Sequence, residues 1–158
     1  MDIRIEQLTN IDKQTLKTMT KWMYDWWGEE NGYNIEAVQC FMEHSLMKDR
    51  LPQTYGLFLD NKIIGMYQFA YEDLSIRPDI YPWLANVYID HEYRGKGYAR
   101  ILLENVKKTA REVIKFDEIF LYTKHIGLYE KFGWEYVSDL DTYNKEPRIQ
   151  RLYKMELT

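Results

Sequence analysis

Ile3 and Ile5 alternate with Arg4 and Glu6, the period of two that sets one side of a strand against a core. After Asp12, a residue suited to capping, the period lengthens. Leu16, Met19, Met23 and Trp26/Trp27 recur at helical spacing, and Gly28 ends that stretch. A second helix is predicted from about Asn34 to Lys48, with Ile35, Val38, Phe41/Met42 and Leu46 as its apolar stripe, and Pro52 closes the region. Tyr55 to Leu59 and Lys62 to Tyr71 are rich in aromatic and branched residues. Asp60-Asn61 between them suits a two-residue turn, so the pair predicts a β-hairpin. Glu72 to Pro82 has acids, prolines and no period, and reads as a loop.

Trp83 to Ile89 is a near-continuous apolar run, as expected of a strand buried on both faces. A helix follows from about Gly97 to Val113, with Ala99, Leu102/Leu103, Val106, Ala110 and Val113 on one face. Glu118 to Thr123 reads as a short strand. Ile126 to Phe132 reads as a short helix ended by Gly133, and Trp134 to Asp139 and Ile149 to Glu156 as closing strands. The order is β-α-α-β-β-β-α-β-α-β-β. The strand-helix-strand crossover makes its two flanking strands parallel, so the class is α+β on a mixed sheet.

Composition narrows the picture. With 158 residues and no linker or repeat, a single domain over 1–158 is expected. Apolar residues make up 46% and tyrosines number 14, which excludes a disordered chain. The formal charge of −4 argues against nucleic acid as the main partner, because such domains carry a basic excess. No apolar run approaches the ~20 residues of a membrane span, and the N-terminus has no secretory core. The single cysteine, Cys40, reads as a small packing residue of the second helix, and a reducing cytoplasm is the expected compartment. His44, His91 and His125 lack ligand spacing, so no metal is expected.

The chemistry lies after Ile89. Strand, glycine turn Arg94-Gly95-Lys96-Gly97-Tyr98-Ala99 and helix form the layout of an anion site. The first amides of a helix have no internal partner and the helix dipole adds about half a positive charge there. Glycines let a ligand approach the backbone, and a phosphate is the natural guest. Arg94, Lys96 and Arg100 add cations. A dinucleotide fingerprint fails because Arg100 takes the last small position, and a triphosphate loop fails because Gly97 follows Gly95-Lys96.

Arg94-x-x-Gly97-x-Ala99 resembles the Arg/Gln-x-x-Gly-x-Gly/Ala signature of the GNAT superfamily of acetyltransferases. Leu128-Tyr129-Glu130-Lys131-Phe132-Gly133-Trp134 is similar to that family's Tyr-Glu-Lys-x-Gly-Phe element. The resemblance covers nearly the whole chain. It implies a mostly antiparallel sheet of about seven strands flanked by about four helices, with a central parallel, splayed strand pair. It implies acetyl-CoA as cosubstrate, its pyrophosphate wrapped by the amides of Arg94, Gly95, Lys96, Gly97, Tyr98 and Ala99. The pantetheine arm would pair with the backbone of Val87, Tyr88 and Ile89, where an amide would polarise the thioester carbonyl. Tyr129 would protonate the leaving thiolate.

The resemblance implies an N-acetyltransferase acting on an amine by direct attack. Members often carry a glutamate base on the strand before the loop, and Trp83–Ile89 has none. Glu72, Asp73, Asp79, His125 and water remain candidates. Asp25, Glu29 and Glu30 beside Trp22, Trp26 and Trp27 point to a small, cationic amine as partner. A homodimer is left open. Two other readings stand beside this one: a non-catalytic acyl-CoA-binding regulatory module, and acetylation of a protein N-terminus or lysine.

Overall fold

A computed structural model describes residues 1–158. Seven strands form one sheet in the order β1-β2-β3-β4-β5-β7-β6. They are β1 (Ile3–Leu8), β2 (Gln53–Leu59), β3 (Lys62–Ala70), β4 (Trp83–Ile89), β5 (Glu118–Thr123), β6 (Glu135–Asp141) and β7 (Ile149–Glu156). The helices are α1 (Lys13–Met23), α2 (Ile35–Glu43) and α3 (Tyr98–Val113). β4 and β5 run parallel, whereas β1–β2, β2–β3, β5–β7 and β6–β7 are antiparallel. The expected α+β class and parallel pair are therefore present. In place of a fourth α-helix stands a 3₁₀ turn, Tyr129–Phe132. No helix is long and apolar enough to cross a membrane.

The chain packs as two compact units. The first is Met1–Phe69 with Asn86–Leu102. Its core joins Leu8, Met19, Met23, Val38, Met42 and Met66. Asp12 caps α1 by accepting from the Thr15 amide at 2.7 Å. α1 passes into a π turn, Tyr24–Gly28, closed by Glu29 N–H to Tyr24 O at 3.0 Å. Gly28 serves packing there: a Cβ would meet Val38 Cγ2 at 2.7 Å, so α1 and α2 approach closely only over a glycine.

α2 stops at Glu43, five residues short of the predicted Lys48. Leu46 keeps the apolar period, but side chains of β1 and β2 take the carbonyls beyond. Thr54 Oγ1 donates to Ser45 O at 2.7 Å, and Gln7 Nε2 donates to Met47 O at 3.1 Å and Lys48 O at 2.9 Å. Cys40 is exposed and not a packing residue. The buried face of α2 is Val38 and Met42, four apart, which turns position 40 to solvent.

The second unit is Ala70–Ala85 with Leu103–Thr158. Leu74, Ile80, Trp83, Leu140 and Leu152 form its core with Phe120 and Tyr122. Trp83 registers against Phe120 at the start of the parallel pair, and Phe120 N–H donates to Pro82 O at 3.0 Å. In β5, Ile119, Leu121 and Thr123 are buried on one side. The short helix starts at Tyr129 and not at Ile126, because Gly127 sits at φ 89°. Gly133 closes the turn at φ 90°, the left-handed cap expected of it.

Candidate active site

In the first unit, the backbone is shaped for an anion. Asp90 N–H donates to Ile64 O at 2.8 Å and ties the end of β4 to β3. The Asp90 carboxylate accepts from Glu92 N–H at 3.2 Å and starts a single 3₁₀ turn, His91–Tyr93. The chain then enters α3 through Gly95 at φ 75° and Gly97 at φ 86°. A Cβ at either glycine would meet nothing within 4 Å, so the left-handed φ is what demands glycine, and the loop is open. The first turn of α3 carries no acidic side chain, so nothing of its own neutralises the dipole end.

Arg94 folds back. Its Nε donates to Ile89 O at 2.8 Å and its guanidinium lies 5.0 Å from the Tyr88 ring centroid. The Tyr88 ring in turn rests against Trp22 at 5.2 Å and Trp26 at 5.7 Å. Lys96 Nζ lies 5.7 Å over Tyr93. The charges expected at the loop are therefore held beside it on aromatic faces. A cleft of about 690 Å³ next to α1 is lined by Lys17, Lys21, Trp26, Lys62, Tyr88 and Arg94, among others. Asp25, expected to attract a cation, is already bound to Lys21 at 2.7 Å.

β4 is kinked just before the residues expected to meet the pantetheine arm. Asn86 adopts φ 52°, a left-handed conformation within a strand. Asparagine is among the few residues that tolerate it. Its Nδ2 donates to Gln68 Oε1 at 2.7 Å. Val87, Tyr88 and Ile89 follow this kink directly, with Ile89 buried and the other two half-buried.

In the second unit, Tyr129 is 8% exposed. Its ring stands edge-on to Trp134 at 6.3 Å and tilted against Tyr153 at 6.2 Å. Burial pushes the phenol up to about 12. Glu130, the next residue of the motif, is a clamp. Its Oε1 accepts from Gly127 N–H at 3.1 Å and its Oε2 from Tyr153 OH at 2.9 Å. Arg151 Nε donates to the same Tyr153 oxygen at 2.8 Å. Tyr153 and Arg151 were not foreseen from sequence; they lie in β7, with no spacing that relates them to Tyr129.

The base candidates separate. Asp79 is gripped by Arg77 at 2.9 and 2.8 Å, and that hydrogen-bonded pair holds its carboxyl below the usual range. His125 is exposed, its backbone N–H on Thr123 Oγ1 at 3.1 Å. Glu72 is exposed. Asp73 differs. It is half-buried, and desolvation pushes its carboxyl up to about 6 against the opposing pull of Lys145 and with help from Glu72. Lys145 Nζ donates to Tyr122 OH and lies 4.9 Å from that ring's centroid. Burial and the Asp73 charge push the Tyr122 phenol far upward. Asp73, Tyr122 and Lys145 form a titratable cluster that no sequence motif marks.

Solved structures show what kind of fold this is. A coenzyme A complex of an aminoglycoside 6'-N-acetyltransferase shares it at TM-score 0.74 and 12% identity, covering 98% of this chain and 97% of that one. A chimera of the spermidine N-acetyltransferase SpeG from Vibrio cholerae and hSSAT matches at TM-score 0.73 and 14% identity, over 97% and 95% of the two chains. At these identities the two matches show a shared fold. Residues 16–134 match the Acetyltransferase (GNAT) family, and the protein belongs to it. The spermine/spermidine N(1)-acetyltransferase of Bacillus subtilis is 26% identical over 104 residues, 61% of this chain and 68% of that protein.

Proposed function

We propose that this chain, as one catalytic domain, moves the acetyl group of acetyl-CoA to a small cationic amine by direct attack in a ternary complex. The observation that carries the reading is the open glycine turn at Gly95 and Gly97, which delivers an uncompensated helix N-terminus one short 3₁₀ turn beyond the kinked β4. Such a turn suits a diphosphate. The pyrophosphate sits on the amides from Arg94 to Ala99, and the thioester arm runs along Val87, Tyr88 and Ile89. The names of the relatives, which act on polyamines and aminoglycosides, support an amine with more than one positive charge.

The chemistry needs three things. The acceptor arrives as an ammonium and sheds its first proton to water; Asp73, whose carboxyl burial raises to about 6, takes the second proton, the one the nitrogen must release as its bond to carbon forms. Its nitrogen then attacks the thioester carbon, and backbone amides of β4 stabilise the oxyanion. The C–S bond breaks and the thiolate leaves beside Tyr129. A phenol at about 12 keeps its proton across the neutral range. Full transfer to a thiolate of ordinary pKa near 8.5 would run uphill, so Tyr129 stabilises the leaving sulfur by donating a hydrogen bond.

Calorimetry with acetyl-CoA and thiol release with a panel of polyamines, aminoglycosides, neutral amines and lysine peptides test this. Heat of binding with thiol release on the polycations is expected, with intersecting initial-velocity lines. Binding without release on any amine would leave only a coenzyme-binding module, and no binding at millimolar acetyl-CoA would end the proposal. A second expectation concerns the loop. Gly97→Val forces a β-branched residue toward a left-handed φ or swings its amide away. Acetyl-CoA affinity is expected to fall about tenfold or more, since such strain costs about 1–3 kcal/mol. The Tm should fall by about 2–10 °C if the strain is retained, because a left-handed φ burdens a side chain even where the space is open.

A further inference from the structure

Four polar groups of the first unit are joined in one chain that runs to the kink of β4. Thr54 is 0% and Gln68 2% exposed. Thr54 Oγ1 lies 2.7 Å from Ser45 O. A carbonyl can only accept, so the Thr54 proton is committed to it, and the Thr54 oxygen can only receive from Gln68. Gln68 therefore turns Nε2 toward Thr54, at 2.9 Å, and offers Oε1 on its other side. Asn86 meets that Oε1 with Nδ2 at 2.7 Å. Every direction in the chain is set by one main-chain carbonyl. Flipping either amide would put like partners face to face inside a buried region, where an unmade hydrogen bond is costly.

The result is a defined presentation of Asn86. Its amide nitrogen is turned to Gln68, so Oδ1 occupies the opposite branch of the side chain. The residue also holds a left-handed φ of 52°, a strain that persists only when its surroundings over-determine it. It directly precedes the amides of Val87–Ile89. A core of apolar side chains would fill the same space without a directional chain.

We propose that Asn86 Oδ1 accepts a hydrogen bond from an N–H of the attacking amine, and that Gln68 and Thr54 are positioning residues that hold it so from Ser45 O. This rests on the acetyl transfer proposed above. An amine nitrogen has one lone pair. With an N–H bound to Oδ1, that lone pair is restricted in direction and can be aimed at the thioester carbon. An amide oxygen needs no ionisation to act, so the contact selects donor-bearing nitrogen at every pH, whereas Asp73 sets the pH at which attack begins.

Thr54→Val removes the hydroxyl at nearly constant shape and frees Gln68 to rotate. The acceptor KM is expected to rise about 3- to 10-fold, the weight of one hydrogen bond, with acetyl-CoA affinity by calorimetry within about twofold. Thr54→Ser restores the hydroxyl and should restore the KM. Asn86→Asp sets a carboxylate against Gln68 Oε1, and should raise the acceptor KM more in the wild-type background than in Thr54→Val, where Gln68 can turn Nε2 to meet it. Equal losses for both substrates, or an unchanged acceptor KM in an active Thr54→Val protein, overturn the assignment. Should Thr54→Val not fold, Asn86→Asp decides alone: aspartate also tolerates the left-handed φ, and an unchanged acceptor KM there overturns it. Wild-type protein that releases no thiol with any amine negates the transfer reading itself, and shows that before any variant is made.

Discussion

Tyr129→Phe is expected to lower the turnover number by about 10- to 1000-fold while leaving acetyl-CoA affinity within about twofold. The reason is local. The phenol is buried, carries its proton to about pH 12, and its ring is fixed by Trp134 and Tyr153. Phenylalanine keeps both ring contacts and all of the apolar burial, so the fold and the glycine turn should not change. On the proposed mechanism, what is lost is the one donor that meets the leaving sulfur. Steady-state kcat together with calorimetry separates the two effects. A kcat within about twofold of wild type would remove Tyr129 from the reaction.

The second large effect is expected at Asp73. A base must be ionised to work, and burial moves this carboxyl from the ordinary ~4 up to about 6. Activity toward the acceptor, followed as kcat/KM, should therefore fall about tenfold per pH unit below 6 and level off above it, until the amine or other groups titrate. Asp73→Asn should cost about 100-fold or more at pH 7 and erase the break near 6. Lys145 opposes the upward shift, so Lys145→Met should move the break to higher pH with a smaller loss of maximal rate. A break that stays near 6 in Asp73→Asn would assign it to another group.

How far these groups could be read from the chain depends on how local their signals are. β4 begins and ends where its apolar run does, because a strand covered on both faces must be apolar along its length, and β5 shows its alternation directly in sequence. The glycine turn and Tyr129–Gly133 are short motifs with special backbone needs, so they were visible. The apolar period overstates α2, since Leu46 continues a spacing beyond Glu43 where Gln7 and Thr54 take the backbone carbonyls. Cys40 was placed inside because it neighbours Phe41 and Met42 in sequence, although a helix turns it outward. The cluster of Asp73, Tyr122 and Lys145 draws on a loop, β5 and the segment before β7. Only the fold brings those together, and no pattern of spacing announces it. The chain from Ser45 to Asn86 was hidden for the same reason.

The indoles of Trp26 and Trp27 are aimed by the π turn at Tyr24–Gly28. It holds one more residue than an α turn at the same place, so losing one residue there would return the segment to regular winding. The helix upstream would stay seated on Met19 and Met23, while Trp26 and Trp27 would swing by about a third of a circle, since each residue advances an α-helix by about 100°. Gly28 lies in the same turn, so the deletion would also carry it off Val38: the direction of these indoles is tied to the seam between α1 and α2.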